Sequence, residues 1–259
     1  MASRSRDRLL RCLLTAVLAL CLTACARPFV RTPGGGDEGR RLLARLEETN
    51  RGLWAVKGVG SFSLRLPEGS RSARVAWIAA APDRIRLHVF GLLGQGRLTL
   101  AADGRRITLH SAADGRFYSR RADDPDLQKV VGFPIHVSDL VSLLMGRIPL
   151  RDHTRTRVVP DAGGSGGLVL SLDGFWGSRQ KITFDARGRV REAAYFGAAG
   201  GLRYRVTLTA RRRVDGYELP QELRLSTEDG RRLRLVVSRC WANPALPEGV
   251  FRLAPSGGA

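Results

Sequence analysis

Hydrophobic and polar residues alternate along most of the chain beyond Trp54. Alternation over about four to eight residues is typical of β-strands that turn one apolar face inward. Asp-Gly dipeptides separate several of these segments and indicate tight hairpins. We count about ten or eleven strands and predict a mainly β (α+β) domain whose antiparallel sheet is curled into an incomplete barrel.

Three shorter segments have helical spacing instead. The first covers residues 40–49 and has its leucines on one face. Asp124 and Pro125 predict the start of a second helix. Ser138 is predicted to cap a third, which ends at Gly146. We expect these short helices to lie across the open side of the sheet as a lid.

A curled sheet covered by helices can enclose a hydrophobic cavity, and we predict one here. A core filled by side chains is the alternative, and the sequence does not separate the two. The residues expected to line the cavity are Phe62, Leu64, Val75, Trp77, Ile85, Leu87, Val89, Leu98, Leu100, Leu140, Leu144 and Val206.

The connection between two of the predicted strands, within residues 84–100, is unusually apolar. It presents Phe90, Leu92 and Leu93 between glycines, whereas connections of this kind are normally polar because their backbone must reach water. Apolar side chains on a surface loop indicate contact with a membrane or another apolar surface, unless they fold back onto the core. We interpret this loop as a membrane-insertion loop.

The amino terminus predicts a bacterial lipoprotein. Four arginines precede an apolar run over residues 12–22, which is too short to span a bilayer comfortably and is typical of a signal peptide. The run ends in Leu22-Thr23-Ala24-Cys25, which looks like a lipobox. We therefore predict a signal peptide over residues 1–24, a lipidated tether over 25–39 that begins at the acylated Cys25, and a folded domain over 40–259. The alternative is an ordinary signal peptide with an incidental cysteine.

Charge and cysteine content narrow the classes of partner. The chain has a formal net charge of +19, mostly from arginine. An exported lipoprotein does not meet nucleic acid, so anionic lipid headgroups or an acidic partner are the expected targets, unless the arginines only solvate the surface. Cys240 is the single cysteine left after the signal peptide and Cys25, and four scattered histidines give no metal-ligand spacing.

Short motifs of catalytic type lack the context that their chemistry needs. Residues 163–167 match the esterase pattern G-x-S-x-G, but they form a glycine-rich loop between strands. Residues 34–39 match a dinucleotide fingerprint with no strand before them. Asp152 and His153 have no nucleophile nearby. We predict no enzyme and no cofactor, and we interpret the tryptophans as core or membrane-interface residues.

The chain resembles the outer-membrane lipoprotein receptor family LolB, which is itself similar to the periplasmic carrier LolA. The residues that carry the resemblance are the lipobox, Trp54 with Gly58 and Gly60, Leu87 with Gly91-Leu92-Leu93-Gly94, Gly132-Phe133-Pro134, the segment from Leu140 to Gly146, and Pro220 with Leu223 and Leu225. The resemblance implies an incomplete barrel whose cavity takes acyl chains, and it places Leu93 at the exposed leucine of the family's protruding loop. Ala26, which is not Asp, favours outer-membrane export by likeness to Gram-negative lipoproteins.

We therefore expect a monomeric protein, lipid-anchored at the periplasmic face of the outer membrane. It would accept the acyl chains of lipoproteins from a periplasmic carrier and insert them in that membrane. The heavier arginine content, the long tether and the additional Leu92 depart from the family. A protein of the same fold that binds or transfers free lipids or glycolipids is one alternative, and a structural envelope lipoprotein that holds a protein partner is another.

Overall fold

The computed structural model describes residues 35–91, 94–164 and 166–254. Three α-helices lie in these residues: α1 (Gly35–Glu48), α2 (Gln128–Val131) and α3 (Val137–Leu144). The strands in the same residues are β1 (Ala55–Leu66), β2 (Gly69–Ala80), β3 (Arg84–Phe90), β4 (Gly96–Asp103), β5 (Arg106–Ser111), β6 (Phe117–Arg121), β7 (Arg155–Pro160), β8 (Leu168–Asp173), β9 (Arg179–Phe184), β10 (Val190–Phe196), β11 (Leu202–Val214), β12 (Tyr217–Ser226) and β13 (Arg232–Ala242).

All thirteen described strands form one open antiparallel sheet. Its order is β6-β5-β4-β3-β2-β1-β13-β12-β11-β10-β9-β8-β7, so the first and last strands of the chain pair at its centre. The two edge strands β6 and β7 do not pair with each other, and the chain between them carries α2 and α3. The predicted antiparallel fold with short covering helices is confirmed. The strand count is higher than predicted, because β7 and β10 were not recognised.

Two helix predictions differ from the structure in detail. The first helix begins at Gly35, before the predicted residue 40, so residues 35–39 are helical. Asp124 does not cap the helix that follows it. Its backbone is left-handed (φ 43°), and its carboxylate accepts hydrogen bonds from the backbone N–H (2.8 Å) and hydroxyl (2.6 Å) of Ser138. Ser138 therefore lies inside the first turn of α3, whose N-cap residue is His136.

The hydrophobic core lies between the inward face of the sheet and the helices. Inward side chains repeat at every second residue of most strands, for example Ile85 and Leu87 on β3 and Leu223 and Leu225 on β12. The described residues from Gly35 onward form a compact unit with this core. Within the described residues, no helix is both long and apolar enough to span a bilayer.

Candidate functional site: the apolar face beneath helix α3

Helix α3 covers the concave face of the sheet. It contacts β2, β3 and β12, and it buries Val137, Val141, Leu143 and Leu144 against them. The helix ends at Leu144, after which the N–H groups of Met145 and Gly146 donate hydrogen bonds to carbonyls of the last turn. Its amino end is held by the Asp124 carboxylate, which also complements the positive end of the helix dipole. Helix α3 therefore occupies the position predicted for a lid.

Most residues predicted to line a cavity lie in a packed core beneath this helix. Those that are buried are Leu64, Val75, Trp77, Ile85, Leu100, Leu144 and Val206, and those partly buried against the same core are Phe62, Leu87 and Leu140. Trp77 packs so closely over β1 that a Cβ at Gly58 would lie 2.2 Å from its ring. The space beneath the closed helix is therefore filled by side chains along most of its length.

The remaining two predicted lining residues, Val89 and Leu98, lie outside that packed core. They face each other across β3 and β4, next to the connection between these strands, and both are partly exposed. Apolar side chains that the protein's own core leaves partly exposed provide contact area for an apolar ligand. The apolar face is thus filled under α3 and open at the end of the sheet where β3 meets β4.

The β3–β4 connection is only partly described. Phe90 is half-buried at its start. The Gly91 N–H donates to the Gln95 carbonyl (2.8 Å), and Gly94 has the left-handed backbone (φ 83°) that a tight turn requires. Leu92 and Leu93 lie outside the described residues, as does Cys25. Their roles in membrane insertion and lipidation remain predictions.

Sequence reasoning missed a buried polar network that fastens α3 to the sheet. Asp139 on α3 is 2% exposed. It accepts a hydrogen bond from the Tyr204 hydroxyl (2.8 Å) and two from the Arg151 guanidinium, of which one is 2.8 Å long and the other is shorter. The Tyr195 hydroxyl and the Gln180 amide donate to the Pro149 carbonyl at 2.9 and 2.8 Å. The network joins α3 and the segment that follows it to β9, β10 and β11.

The charges and hydroxyl groups of this network stabilise the position of α3 on the sheet. The rings of Tyr195 and Tyr204 stack with centroids 4.4 Å apart, and Arg151 lies 5.0 Å from the centroid of Tyr195. Burial raises the pKa of both tyrosine hydroxyls far above the usual range, so they remain hydrogen-bond donors. Burial opposes the charge on Arg151, but the hydrogen bonds and charge of Asp139 outweigh it and raise the pKa of the guanidinium.

A separate cleft of about 1030 Å³ lies at the β6 edge of the sheet. It is bounded by the β4–β5 turn, β6 and the carboxyl-terminal segment, and none of the predicted cavity residues lines it. Phe117 and Phe251 contribute apolar surface, and Arg252 pairs with Asp103 at 3.4 Å. Its further basic lining residues are Arg105, Arg106 and Arg121. The cleft combines cationic and aromatic groups, which suits an anionic ligand with an apolar part.

Among the described residues, no catalytic group forms around Asp152 and His153. Asp152 is exposed, and His153 Nδ1 is 3.0 Å from the backbone carbonyl of Arg151. Ser165 lies outside the described residues. Among the residues that are described, no three His, Cys, Asp or Glu side chains come together as a metal site.

The open antiparallel sheet covered by a lid helix is the architecture of the LolA/LolB superfamily. Over residues 54–241 the sequence matches the family described as outer membrane lipoprotein LolB. The chain belongs to the LolB family. This membership supports a general role in binding lipoproteins at the outer membrane, and it favours a binding protein over an enzyme. A comparison with curated protein sequences gives no match.

Solved structures share the fold at low sequence identity. A LolA superfamily protein from Nitrosomonas europaea aligns with TM-score 0.58 and 11% identity, covering 83% of this chain and 97% of that one. A candidate outer membrane lipoprotein-sorting protein domain from Vibrio parahaemolyticus aligns with TM-score 0.57 and 14% identity, covering 83% and 96%. A DUF1329 family protein from Desulfovibrio piger gives TM-score 0.59 and 12% identity, covering 83% and 96%. At these identities the likeness concerns the fold alone.

Proposed function

We propose that this protein is an outer-membrane receptor that takes the acyl chains of lipoproteins from a periplasmic carrier and inserts them in the outer membrane. The observation that carries the proposal is the lidded apolar face of a LolB-family sheet. Helix α3 covers part of that face, and Val89 and Leu98 extend it to the β3–β4 end. An acyl chain is the ligand whose shape and chemistry match a long apolar face.

In the closed structure the space beneath α3 is filled, so binding an acyl chain requires the helix to move. The chain would replace the apolar contacts of α3 with its own methylenes, each contributing about 0.8 kcal/mol when buried. The partly exposed pair Val89 and Leu98 offers the first contact, from which the acyl chain would extend under the helix. Direction would come from relative affinities, since the carrier, this protein and the membrane all offer apolar surroundings.

The experiment is a transfer assay with anchor-free protein, residues 26–259, which contains the whole compact unit. Carrier loaded with a labelled lipoprotein is mixed with this protein, and the label on each partner is followed after separation. We expect the label to move to this protein. Label that stays on a carrier shown to be competent would refute the receptor function and leave only a likeness of fold.

The role of the β3–β4 connection is tested in the same assay with vesicles added. We expect Leu93→Glu to leave uptake intact and to impair delivery into the vesicles, because a carboxylate at the tip opposes insertion into the apolar part of the membrane. Val159→Glu is the matched control, because Val159 is an exposed apolar residue (50%) on edge strand β7. Full delivery by Leu93→Glu would exclude the insertion role.

The arginine-rich cleft at the β6 edge favours a second function, which is the binding of a free anionic lipid or glycolipid. Guanidinium groups pair well with phosphate, and Phe117 and Phe251 would contact an apolar portion. Extraction and mass spectrometry of lipid bound to the purified protein would test this function. Stoichiometric lipid that is lost in Arg106→Ala, together with no transfer from the carrier, would favour it over the receptor function.

A further inference from the structure

The connection between β8 and β9 exposes two large aromatic side chains. Trp176 is 91% exposed and Phe175 is 66% exposed, more than any other large hydrophobic residue in the described part of the chain. Folded proteins seldom leave a tryptophan almost completely in water, because its indole is among the largest apolar groups that they can bury. These two residues are called the aromatic tip below.

The aromatic tip is held in a defined conformation. The Gly174 N–H donates to the Ser178 carbonyl at 2.9 Å, and the Ser178 hydroxyl donates to the Phe175 carbonyl at 3.0 Å. A Cβ at Gly174 would lie 2.7 Å from the Asp152 carbonyl oxygen, so only glycine fits there. The turn is therefore built into the fold, and it presents its aromatic side chains away from the protein.

Trp176 itself has a left-handed backbone conformation, with φ 58° and ψ 27°. A residue with a Cβ costs about 1–2 kcal/mol in this region relative to the right-handed one, and glycine would avoid the cost. Because the side chain is almost fully exposed, contacts inside the described protein do not offset that cost. A bulky, exposed residue in such a position is a candidate for a contact with something outside the chain.

The register of the strands places the aromatic tip at the same end of the sheet as the β3–β4 connection. Arg179 at the start of β9 pairs with Phe196, which pairs with Leu202 at the start of β11. Along this end the pairing continues through the β12–β13 and β1–β2 hairpins to Arg74, which faces Phe90 at the end of β3. The two apolar connections thus lie at the same end of the sheet, on different flanks.

The surroundings of the aromatic tip suit a lipid surface. The neighbouring β10–β11 turn has exposed Ala198 and Ala199 and carries no charge between Gly197 and Gly201. It is adjacent to the tip, because a Cβ at Gly177 would lie 2.9 Å from the Ala198 carbonyl. The basic side chains on β7 and β9 behind the tip are Arg155, Arg157, Arg179 and Lys181. Arg157 and Arg179 form ion pairs with Asp173 at 2.7 and 3.2 Å, whereas Arg155 and Lys181 form no ion pair with a described residue.

We infer that the aromatic tip is a second membrane contact, which inserts Phe175 and Trp176 into the headgroup region of an anionic bilayer while Arg155 and Lys181 behind it pair with lipid phosphates. Tryptophan is favoured at the membrane–water boundary because its ring is apolar and its N–H can still bond to water or lipid. Two contacts at one end of the sheet would fix the orientation of the apolar face over the membrane. The inference rests on the proposed membrane-facing function only for that last consequence.

The test measures vesicle binding of anchor-free protein, residues 26–259, without lipoprotein or carrier. The vesicles contain phosphatidylethanolamine and phosphatidylglycerol, with a doxyl quencher placed at a known depth. We expect quenching of the fluorescence component that Trp176→Ser removes. We also expect that variant to bind vesicles at least about tenfold more weakly, because it loses a large part of an aromatic contact of about 150–250 Å².

The matched control is Trp241→Ser, because Trp241 is also exposed (42%) but lies near the start of β1, at the opposite end of the sheet. We expect this variant to bind vesicles as the unmodified protein does. Absence of vesicle binding by the unmodified protein, or equal binding by the two variants, would overturn the inference. Unchanged vesicle binding by Trp176→Ser with loss of exchange with the carrier would assign the aromatic tip to a protein partner and would also overturn it.

These results are independent of the transfer function. A protein that binds vesicles through Trp176 but receives no label from the carrier would refute the proposed receptor and support the membrane contact. A protein that receives label normally but shows no quenching of Trp176 would support the proposed receptor and refute the membrane contact.

Discussion

Removing the buried carboxylate of Asp139 tests whether the polar network holds α3 on the sheet. In Asp139→Ala the Arg151 guanidinium loses its ion pair and the Tyr204 hydroxyl loses its acceptor. Breaking a fully buried pair costs about 3–5 kcal/mol. The Arg151 side chain is 36% exposed and can turn partly to water, so we expect a loss of about 2–3 kcal/mol in the free energy of unfolding.

The measurement is urea unfolding of the anchor-free protein, with the midpoint and slope determined separately. Asp152→Ala is the control, because Asp152 is an exposed aspartate close to Arg151, and its loss is expected to change stability by less than about 0.5 kcal/mol. Hydrogen exchange should locate the effect, since the amides of α3 are expected to exchange faster than those of β11 and β12. Equal stability of the two variants would refute the role that we give to the network.

A second set of variants separates the ion pair from the space that it fills. Replacing Asp139 by Leu, Arg151 by Met and Tyr204 by Phe together removes every charged or hydroxyl member of this part of the network. Because apolar residues of similar volume often replace a buried ion pair without loss, we expect the triple variant to be more stable than Asp139→Ala alone. A triple variant less stable than Asp139→Ala would show that the charges themselves stabilise the fold.

Two further predictions concern the sheet. Gly58→Ala is expected to cost about 1–3 kcal/mol in unfolding free energy, because the new methyl would lie 2.2 Å from the Trp77 ring; thermal unfolding measures this, and an unchanged midpoint would contradict the close packing. Arg234 and Arg224 donate hydrogen bonds to Glu222 and lower the pKa of its carboxyl group to about 2. These bonds therefore stabilise the folded state fully above pH 4.5, the usual pKa of the group, and the stabilisation is lost as the pH falls towards 2. After screening at these half-exposed arginines we expect about 1 kcal/mol, and Glu222→Gln should flatten the pH dependence of stability over that interval.

The alternation of residues predicted the sheet wherever one face is buried and the other is in water. It failed for β10, because Ala194 on the outward face is buried along with the inward Ala193 and Tyr195, which removes the polar half of the pattern. On edge strand β7 the apolar residues Val158 and Val159 are adjacent, so they do not alternate with polar residues. Val158 is partly buried and Val159 is exposed. A strand with both faces buried, or with little buried on either face, has no alternating pattern. It can be recognised only from the strands that it pairs with in the structure.

The sequence predicted the apolar residues of the site but not the buried network around Asp139. The reason is again that the prediction rule assumes one apolar and one polar face. Leucines at helical spacing identified α3 as a covering helix, but the same rule assigns a charged residue such as Asp139 to the solvent side. Its partners are 12 and 65 residues away along the chain, at Arg151 and Tyr204. A buried carboxylate becomes recognisable only when the fold brings a guanidinium and a hydroxyl to it. A single aspartate among inward-facing apolar residues of α3 was the one signal that the sequence offered.

Apolar contacts and the hydrogen bonds of Asp139 both attach α3 to the sheet. Under the proposed function, both determine how an acyl chain would displace this helix. An acyl chain of about fifteen methylenes gains about 12 kcal/mol on full burial, at about 0.8 kcal/mol for each methylene. Lifting α3 exposes four buried apolar side chains worth about 6–12 kcal/mol and opens the Asp139 network to water. The totals are similar, so under the proposed function a chain could displace the lid and the lid could later displace the chain. The directional bonds of Asp139 would return the helix to one closed position, which apolar contacts alone do not specify.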